Sequence, residues 1–173
     1  MTYIRIIAIA LALALSACST QVKRPTAAEQ PKPVVKALES YAVELSPGAK
    51  SQLPDNVKFD TEAFTATLKR TLEARNLVAP DGDFRLKVVV QDIRVRGTFN
   101  AVMWGFMAGD DHLYGDAILE NREGKVVYTY RVESSYALGG LAGGIDSTRL
   151  NWLYEDFSKH VADELAEKRD EKK

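Results

Sequence analysis

Apolar and polar residues alternate with a period of two along four stretches of the chain, which predicts β-strands. These stretches cover residues 38–45, 84–96, 113–120 and 126–136. The apolar positions of the second stretch change face near Gln91 and Asp92, which indicates a β-bulge. Gly124 lies between the last two stretches and can supply the positive φ of a tight turn, so these stretches are predicted to form a hairpin.

Two further stretches carry apolar residues at the three- and four-residue spacing of an amphipathic helix. The first is predicted from about Asp60, a good N-cap residue, to Arg75, and Asn76 then suits a helix stop. The second begins at Asp146 or Ser147. The order β-α-β-β-β-α predicts a two-layer α+β domain, with a mainly antiparallel sheet and both helices on one face. The buried stripes contain Phe64, Leu68 and Leu72 in the first helix, and Leu150, Leu153, Phe157, Val161 and Leu165 in the second.

The first 17 residues differ from the rest of the chain, because Arg5 is followed by an uninterrupted apolar run over 6–15. A membrane-spanning helix needs about 20 apolar residues, so this run predicts a secretory signal peptide instead. The sequence Leu15-Ser16-Ala17-Cys18 resembles the lipobox of bacterial lipoproteins. That resemblance implies removal of residues 1–17 and a membrane anchor of fatty-acyl chains, such as palmitate, on Cys18. The alternative is ordinary secretion with a free Cys18.

The residues after Cys18 indicate where the protein is located and how the folded domain is joined to its anchor. Ser19 follows the cysteine, and the sorting pattern of lipoproteins with this box then implies the outer membrane, facing the periplasm. Residues 18–37 hold three prolines and almost no large apolar side chain, which predicts a flexible tether. The folded domain is predicted over 38–168, followed by a charged tail over 169–173.

Two stretches that join predicted elements, 97–109 and 137–145, are apolar where loops are usually polar. In an antiparallel arrangement both lie at one edge of the sheet, so we expect them to be neighbours. They either close the open end of the core or form an exposed patch for a partner. If 38–45 and 84–96 pair in parallel, the tether enters at the opposite edge. The patch would then face away from the membrane, towards an envelope protein or a second copy. Its residues are Phe99, Met103, Trp104, Phe106, Met107, Leu138 and Leu141.

Charge and cysteine content exclude several classes of function. The 23 Lys and Arg against 24 Asp and Glu give a net charge of -1, so the chain lacks the cationic excess of a nucleic-acid-binding protein. The single cysteine allows neither an internal disulfide nor a cysteine-based zinc site. The composition, with 46% hydrophobic and 27% charged residues, is that of an ordinary globular domain.

Three clusters contain residue types that are found in metal-binding, catalytic or phosphate-binding sites. For each cluster, an ordinary structural role is favoured. Asp110, Asp111, His112 and Asp116 are of the metal-binding types, but a strand would separate His112 from Asp116 by about 13 Å. His160 shares a helical face with Asp156 and Glu164, an arrangement typical of exposed helix pairs. The glycine-rich stretch 139–145 lacks the lysine of a phosphate-binding loop. The sequence therefore predicts no catalytic residue, no metal site and no cofactor.

The order of these features resembles a family of bacterial lipoproteins, domain of unknown function family 4410. The resemblance rests on the lipobox, the proline-bearing tether and the strands FRLKVVVQDIRVRG and GKVVYTYRVES. It implies a fold and an envelope location, and no activity. We therefore expect a non-enzymatic, lipid-anchored interaction or assembly module. A binder of a small apolar or lipid-like ligand, held between the sheet and the Trp104 segment, is the alternative, and an envelope hydrolase is less favoured.

Overall fold

A five-stranded sheet forms one layer of the domain and helices form the other. The computed structural model describes residues 18–26, 29–56, 58–96, 109–137 and 146–166. The strands are β1 (Cys18–Lys23), β2 (Leu38–Leu45), β3 (Phe84–Arg94), β4 (Asp111–Asn121) and β5 (Val126–Tyr136). They lie side by side in the order β1-β5-β4-β3-β2. Only β2 and β3 are parallel, and every other neighbouring pair is antiparallel.

The helices are α1 (Pro47–Gln52), α2 (Thr61–Ala74) and α3 (Asp146–Ala166), and α1 leads into a 3-10 turn (Leu53–Asp55). The apolar stripes of α2 and α3 both pack on one face of the sheet, so the predicted two-layer α+β class is confirmed. The short α1 and the turn after it are additional to the predicted elements. Ser46 starts α1 by accepting a hydrogen bond from the Ala49 amide at 3.1 Å.

The core lies between the sheet and the two long helices. Phe64 of α2 stacks on Tyr154 of α3 with ring centroids 5.2 Å apart, and it meets Phe157 edge-on at 5.4 Å. Every predicted stripe residue of both helices is buried. The inward residues of the central strands alternate with the outward ones, as a half-covered sheet requires. These inward residues include Leu86, Val88 and Val90 in β3, Leu113, Ala117 and Leu119 in β4, and Tyr128, Tyr130 and Val132 in β5.

Four local predictions are confirmed. The Asp60 carboxylate accepts hydrogen bonds from the first amides of α2, and Asn76 ends that helix with φ of 55°. The register of β3 on β4 shifts between Val90 and Asp92, where the bulge is expected. Gly124 in the β4–β5 hairpin has φ of 77°, a conformation that costs other residues strain.

The strand directions define two edges of the domain. At the upper edge β2 and β3 end, β4 begins and β5 ends, so Arg94, Asp111 and Tyr136 lie there. At the lower edge β2 and β3 begin and the hairpin turns. Helix α2 runs from the upper edge to the lower one, because residues after it pair with Leu38 at the start of β2.

The structure differs from the predicted tether at its first six residues. Residues 18–23 form β1, an edge strand that pairs antiparallel with residues 131–136 of β5. Thr20 lies on the helix-side face, and its hydroxyl donates a hydrogen bond to the carboxylate of Asp156 on α3. The sequence CSTQVK is too polar to predict a strand by itself, and here pairing with β5 stabilises it. Within the described residues, no helix combines the length and apolarity needed to cross a membrane.

Candidate functional site

The upper edge brings together the first residue of β1 and the ends of both apolar stretches. Cys18 lies opposite Tyr136 in the β1–β5 pairing, and Asp111 lies opposite Tyr136 on the other side. The structure does not describe residues 97–108 or 138–145. Arg96 and Gly109 flank the first of these stretches, and Ala137 precedes the second. The upper edge is therefore common to Cys18 and to the described residues that flank both stretches.

This arrangement corrects the position that was predicted for Cys18 relative to the flanks of these stretches. The parallel pairing of β2 and β3 is confirmed, and β2 does begin at the lower edge. Cys18 nevertheless lies at the upper edge, because β1 runs antiparallel to β5 and the chain then crosses to the start of β2 at Leu38. The inference that the anchor enters at the edge opposite the apolar stretches is wrong for this reason.

A buried ion cluster, here called the root cluster, holds the ends of the two stretches together. It consists of Arg96, Asp111 and Arg149, whose side chains are all at most 2% exposed. Arg149 Nε donates a hydrogen bond to Asp111 Oδ2 at 2.7 Å, and Arg96 Nη2 donates to the same oxygen at 3.1 Å. The Arg96 amide donates to Asp111 Oδ1 at 2.6 Å.

The root cluster also binds the backbone at these chain ends. The Arg96 guanidinium donates to the carbonyl oxygens of Gly109 and Tyr136, the latter at 3.2 Å, and Arg149 donates to the carbonyl of Arg96 at 2.7 Å. The described residues that flank the two apolar stretches are therefore neighbours, and contact between the stretches themselves stays a prediction. The proposed patch residues themselves lie outside the described residues. They are Phe99, Met103, Trp104, Phe106, Met107, Leu138 and Leu141.

Sequence reasoning missed the root cluster, although one signal pointed to it. Arg149 precedes Leu153 and Phe157 by four and eight residues, so it occupies the buried stripe of α3. A charged residue on such a stripe needs a buried partner of opposite charge. That partner, Asp111, lies in the inward register of β4 with Leu113, and only the fold brings it to Arg149.

The metal-like cluster of the sequence is separated by the alternation of β4. Asp111 points inward to the root cluster, whereas Asp116 lies on the opposite face and binds Arg131 Nε at 2.7 Å. His112 lies on that outer face between Asp92, 3.0 Å from its Nε2, and Asp110, 3.5 Å from its Nδ1. Among the described residues, no group of three or more potential ligands is arranged to hold a metal ion.

His112 forms a small polar cluster on the outer face of the sheet. Its ring stacks on Tyr114 with centroids 4.5 Å apart. Partial burial alone would raise the pKa of Asp92, but hydrogen bonds from Gln52 and His112 outweigh it, and the pKa of this carboxyl is lowered. Burial raises the pKa of Tyr114, and nearby carboxylates add to the effect. The cluster ties β3 to β4 near the upper edge.

The three residues aligned on α3 do not form an acid–base set. His160 Nδ1 is 2.8 Å from the backbone carbonyl of Asp156 and 3.5 Å from its carboxylate. Glu164 is turned inward and is fully buried, where Tyr128 donates a hydrogen bond to it at 2.9 Å. The glycine-rich stretch 139–145 lies outside the described residues.

Glu164 is the main attachment point of the chain that follows β1. We call the described residues 18–26 and 29–36 the strap. Arg24 Nε donates to Glu164 Oε2 at 2.6 Å, and Lys32 Nζ lies 3.4 Å from Oε1. Farther along β5, the Gln30 side chain accepts a hydrogen bond from the Thr129 amide at 2.9 Å. The strap thus covers the outer edge of β5 along most of its length.

Two shallow grooves lie beside the strap, and charged residues line both. One, of about 390 Å³, is bordered by Val22, Arg24, Arg75, His160, Asp163, Glu164 and Ala166. The other, of about 500 Å³, includes Lys23, Glu29, Asp116 and Arg131. The predicted apolar-ligand site involves the Trp104 segment, which lies outside the described residues.

Comparison with known proteins defines the class of this module and then its family. Its fold is found in a PelC dodecamer from Paraburkholderia phytofirmans, at 13% identity and a TM-score of 0.51 over 88% of this chain and 99% of that one. A single-substitution variant of that PelC dodecamer matches over the same shares, at 14% identity and a TM-score of 0.48. A minor lipoprotein from Acinetobacter baumannii matches over 75% of this chain and 92% of its own, at 10% identity and a TM-score of 0.43.

The family model described as Domain of unknown function (DUF4410) matches residues 23–140. The chain belongs to this family, as the resemblance in its sequence predicted. A search of curated proteins finds no match.

Proposed function

We propose that this protein is a lipid-anchored, non-enzymatic interaction or assembly module of the bacterial cell envelope. One observation carries the proposal: the cysteine that completes the lipobox is also the first residue of a strand in the domain's sheet. An acyl anchor on Cys18 would hold the upper edge near the bilayer, since no free linker separates the anchor from the sheet. Two or more acyl chains make such an attachment stable.

The same geometry favours a role for the apolar stretches at the membrane side. Their ends are bound together by the root cluster, next to the strand that begins with Cys18. We therefore assign the seven patch residues named above to contact with a partner at the membrane surface. This replaces the predicted partner on the far side of the domain. Replacing Trp104 and Phe106 together by Ser should abolish crosslinking to that partner while the thermal unfolding transition is retained.

Satisfied polar clusters support the non-enzymatic part of the proposal. The carboxylates of Asp111, Asp116 and Glu164 each bind cationic side chains in ion pairs. His160 is held by its own helix. These ion pairs stabilise the fold, and they occupy the carboxylates that they involve. Turnover of an envelope substrate that is lost on changing His112 or His160 would contradict this assignment.

Self-association is the form of partnership that we propose first. PelC, which has this fold, forms a dodecamer, and a lipid anchor concentrates copies of a protein in one plane. Native mass spectrometry of the detergent-solubilised full chain should show multimers. A monomer carrying a co-purified lipid mass would instead favour the apolar-ligand alternative.

Metabolic labelling with radioactive palmitate tests the anchor. The wild-type chain should be labelled and should sediment with outer-membrane vesicles, as Ser19 after the cysteine implies. The Cys18→Ser variant should be unlabelled, and the Ser19→Asp variant should be labelled but retained in the inner membrane. An unlabelled wild-type chain that washes from membranes would refute the proposal.

A further inference from the structure

We propose that the strap is a releasable latch that sets the distance between the anchored end and the domain. The Glu164 carboxylate holds the latch in its docked position. This inference rests on the proposed lipid anchor for its biological meaning. When the strap is docked, Cys18 is fixed at the upper edge and the domain lies against the bilayer. When the strap is released, residues 18–37 become the tether that their composition predicts, and the domain can move away.

The ion pairs that Glu164 forms with the strap are stronger than the other contacts of the strap. The Glu164 side chain is fully buried, and the Lys32 side chain that approaches it is only 9% exposed. Arg24 forms a short ion pair with the same carboxylate, at 2.6 Å. Removing one partner of a buried ion pair is costly, because the other charge is left buried without compensation. Docking therefore depends on both cations meeting Glu164.

The other contacts of the strap are of the kind that opens easily. β1 has six residues and lies at the edge of the sheet, where opening costs less than in a central strand. The Lys23–Glu133 pair lies on the outer face of the sheet, with the lysine more than half exposed, and such pairs contribute little. Val34 is 75% exposed, and the strap residues Val22 and Val35, which pack against the core, are only partly buried.

Glu164 and Asp163 offer a matched pair for the experiment. Glu164 binds the two strap cations, whereas the neighbouring Asp163 binds Arg75, at the end of α2, and Lys159 of α3. Glu164→Gln should therefore release the strap, and Asp163→Asn should not. A second releasing variant, with Arg24 and Lys32 both changed to Gln, alters the strap and leaves Glu164 in place.

Limited trypsin digestion of the lipidated full chain on phosphatidylethanolamine–phosphatidylglycerol vesicles measures the docked state. Cleavage after Lys23 or Lys36 cuts the strap and releases the domain into solution. We expect this cleavage to be at least tenfold faster in Glu164→Gln and in the double variant, and within twofold of the wild type in Asp163→Asn. Thermal unfolding of each variant shows whether the domain itself remains folded.

Equal cleavage rates in Glu164→Gln and Asp163→Asn, with both domains folded, would overturn the latch. So would a wild-type strap cut as fast as an unfolded peptide. If Glu164→Gln unfolds the domain, the double variant decides by the same tenfold criterion. Failure of the lipid anchor has a different signature, because the uncut domain would then be in solution before trypsin is added.

Discussion

Cys18 lies directly opposite Tyr136 in the antiparallel pairing of β1 and β5. This pairing places the residue that completes the lipobox at the same sheet edge as the ends of the two apolar stretches. Tyr136 links the two features, because its carbonyl oxygen accepts a hydrogen bond from Arg96 of the root cluster and its ring packs against Trp152 of α3. Cys18, the root cluster and the core are therefore joined through one residue.

The root cluster should be essential for stability. Asp111→Asn removes the charge that compensates two buried guanidinium groups, and we expect a loss of about 3–5 kcal/mol in the free energy of unfolding. Urea denaturation followed by circular dichroism measures it. Asp116→Asn is the matched control on the same strand, because it disrupts the more exposed pair with Arg131 and should cost about 1 kcal/mol or less. Equal losses in the two variants would contradict the role of the root cluster.

The stability of the domain should fall in acid partly through Glu164. Burial alone would raise the pKa of this carboxyl, but hydrogen bonds from Arg24 and Tyr128 and the charge of Lys32 outweigh it and lower the pKa below its ordinary value of 4.5. The ionised carboxylate therefore stabilises the folded state fully above pH 4.5, and that contribution is lost as the pH falls through the lowered pKa.

Urea denaturation of the wild type and Glu164→Gln between pH 7 and pH 3 measures this contribution. The free energies of unfolding should differ at neutral pH, and the difference should shrink below pH 4.5. A difference that stays constant over the whole range would show that ionisation of Glu164 does not stabilise the fold.

Gly82 should be intolerant of any side chain. A Cβ atom at this position would lie 2.4 Å from the backbone nitrogen of Glu39 and from the carbonyl carbon of Leu38. Gly82→Ala should therefore force the turn before β3 away from β2 and cost at least about 2 kcal/mol. Gly48→Ala is the control, since its Cβ would make only ordinary contacts, at 3.7 Å to Ser46 Oγ and 3.8 Å to the Gln91 carbonyl oxygen. Thermal denaturation of both variants measures the difference, and comparable melting temperatures would contradict it.

The sequence predicts those parts of the fold that depend on local chemistry. The Asp60 cap, the Asn76 helix stop, the bulge after Val90 and the Gly124 turn each follow from nearby residues, and all four are confirmed. The face on which the two long helices pack follows from their apolar stripes.

The parts that sequence reasoning missed depend on contacts between distant residues. β1 contains only two inward side chains that the structure describes, Thr20 and Val22, and it exists as a strand because β5 offers a free edge. The root cluster joins residues 96, 111 and 149. Glu164 resembles an ordinary exposed helix residue until Arg24, Lys32 and Tyr128 surround it. No local pattern marks these partners.

The central claim is that an acylated Cys18 holds the upper edge against the membrane, and fluorescence energy transfer tests it most directly. A dye is attached to Lys50→Cys, exposed beside the upper edge, or to Glu123→Cys, exposed in the hairpin at the lower edge. Cys18 itself cannot react with the dye once its sulfur carries lipid. The acceptor is a headgroup-labelled lipid in the vesicles that carry the protein.

The length of β4 separates the two positions by about 30 Å along the strand direction. The account predicts much stronger transfer from Lys50→Cys than from Glu123→Cys in the docked wild-type protein. Equal transfer from both positions, or stronger transfer from Glu123→Cys, would contradict it.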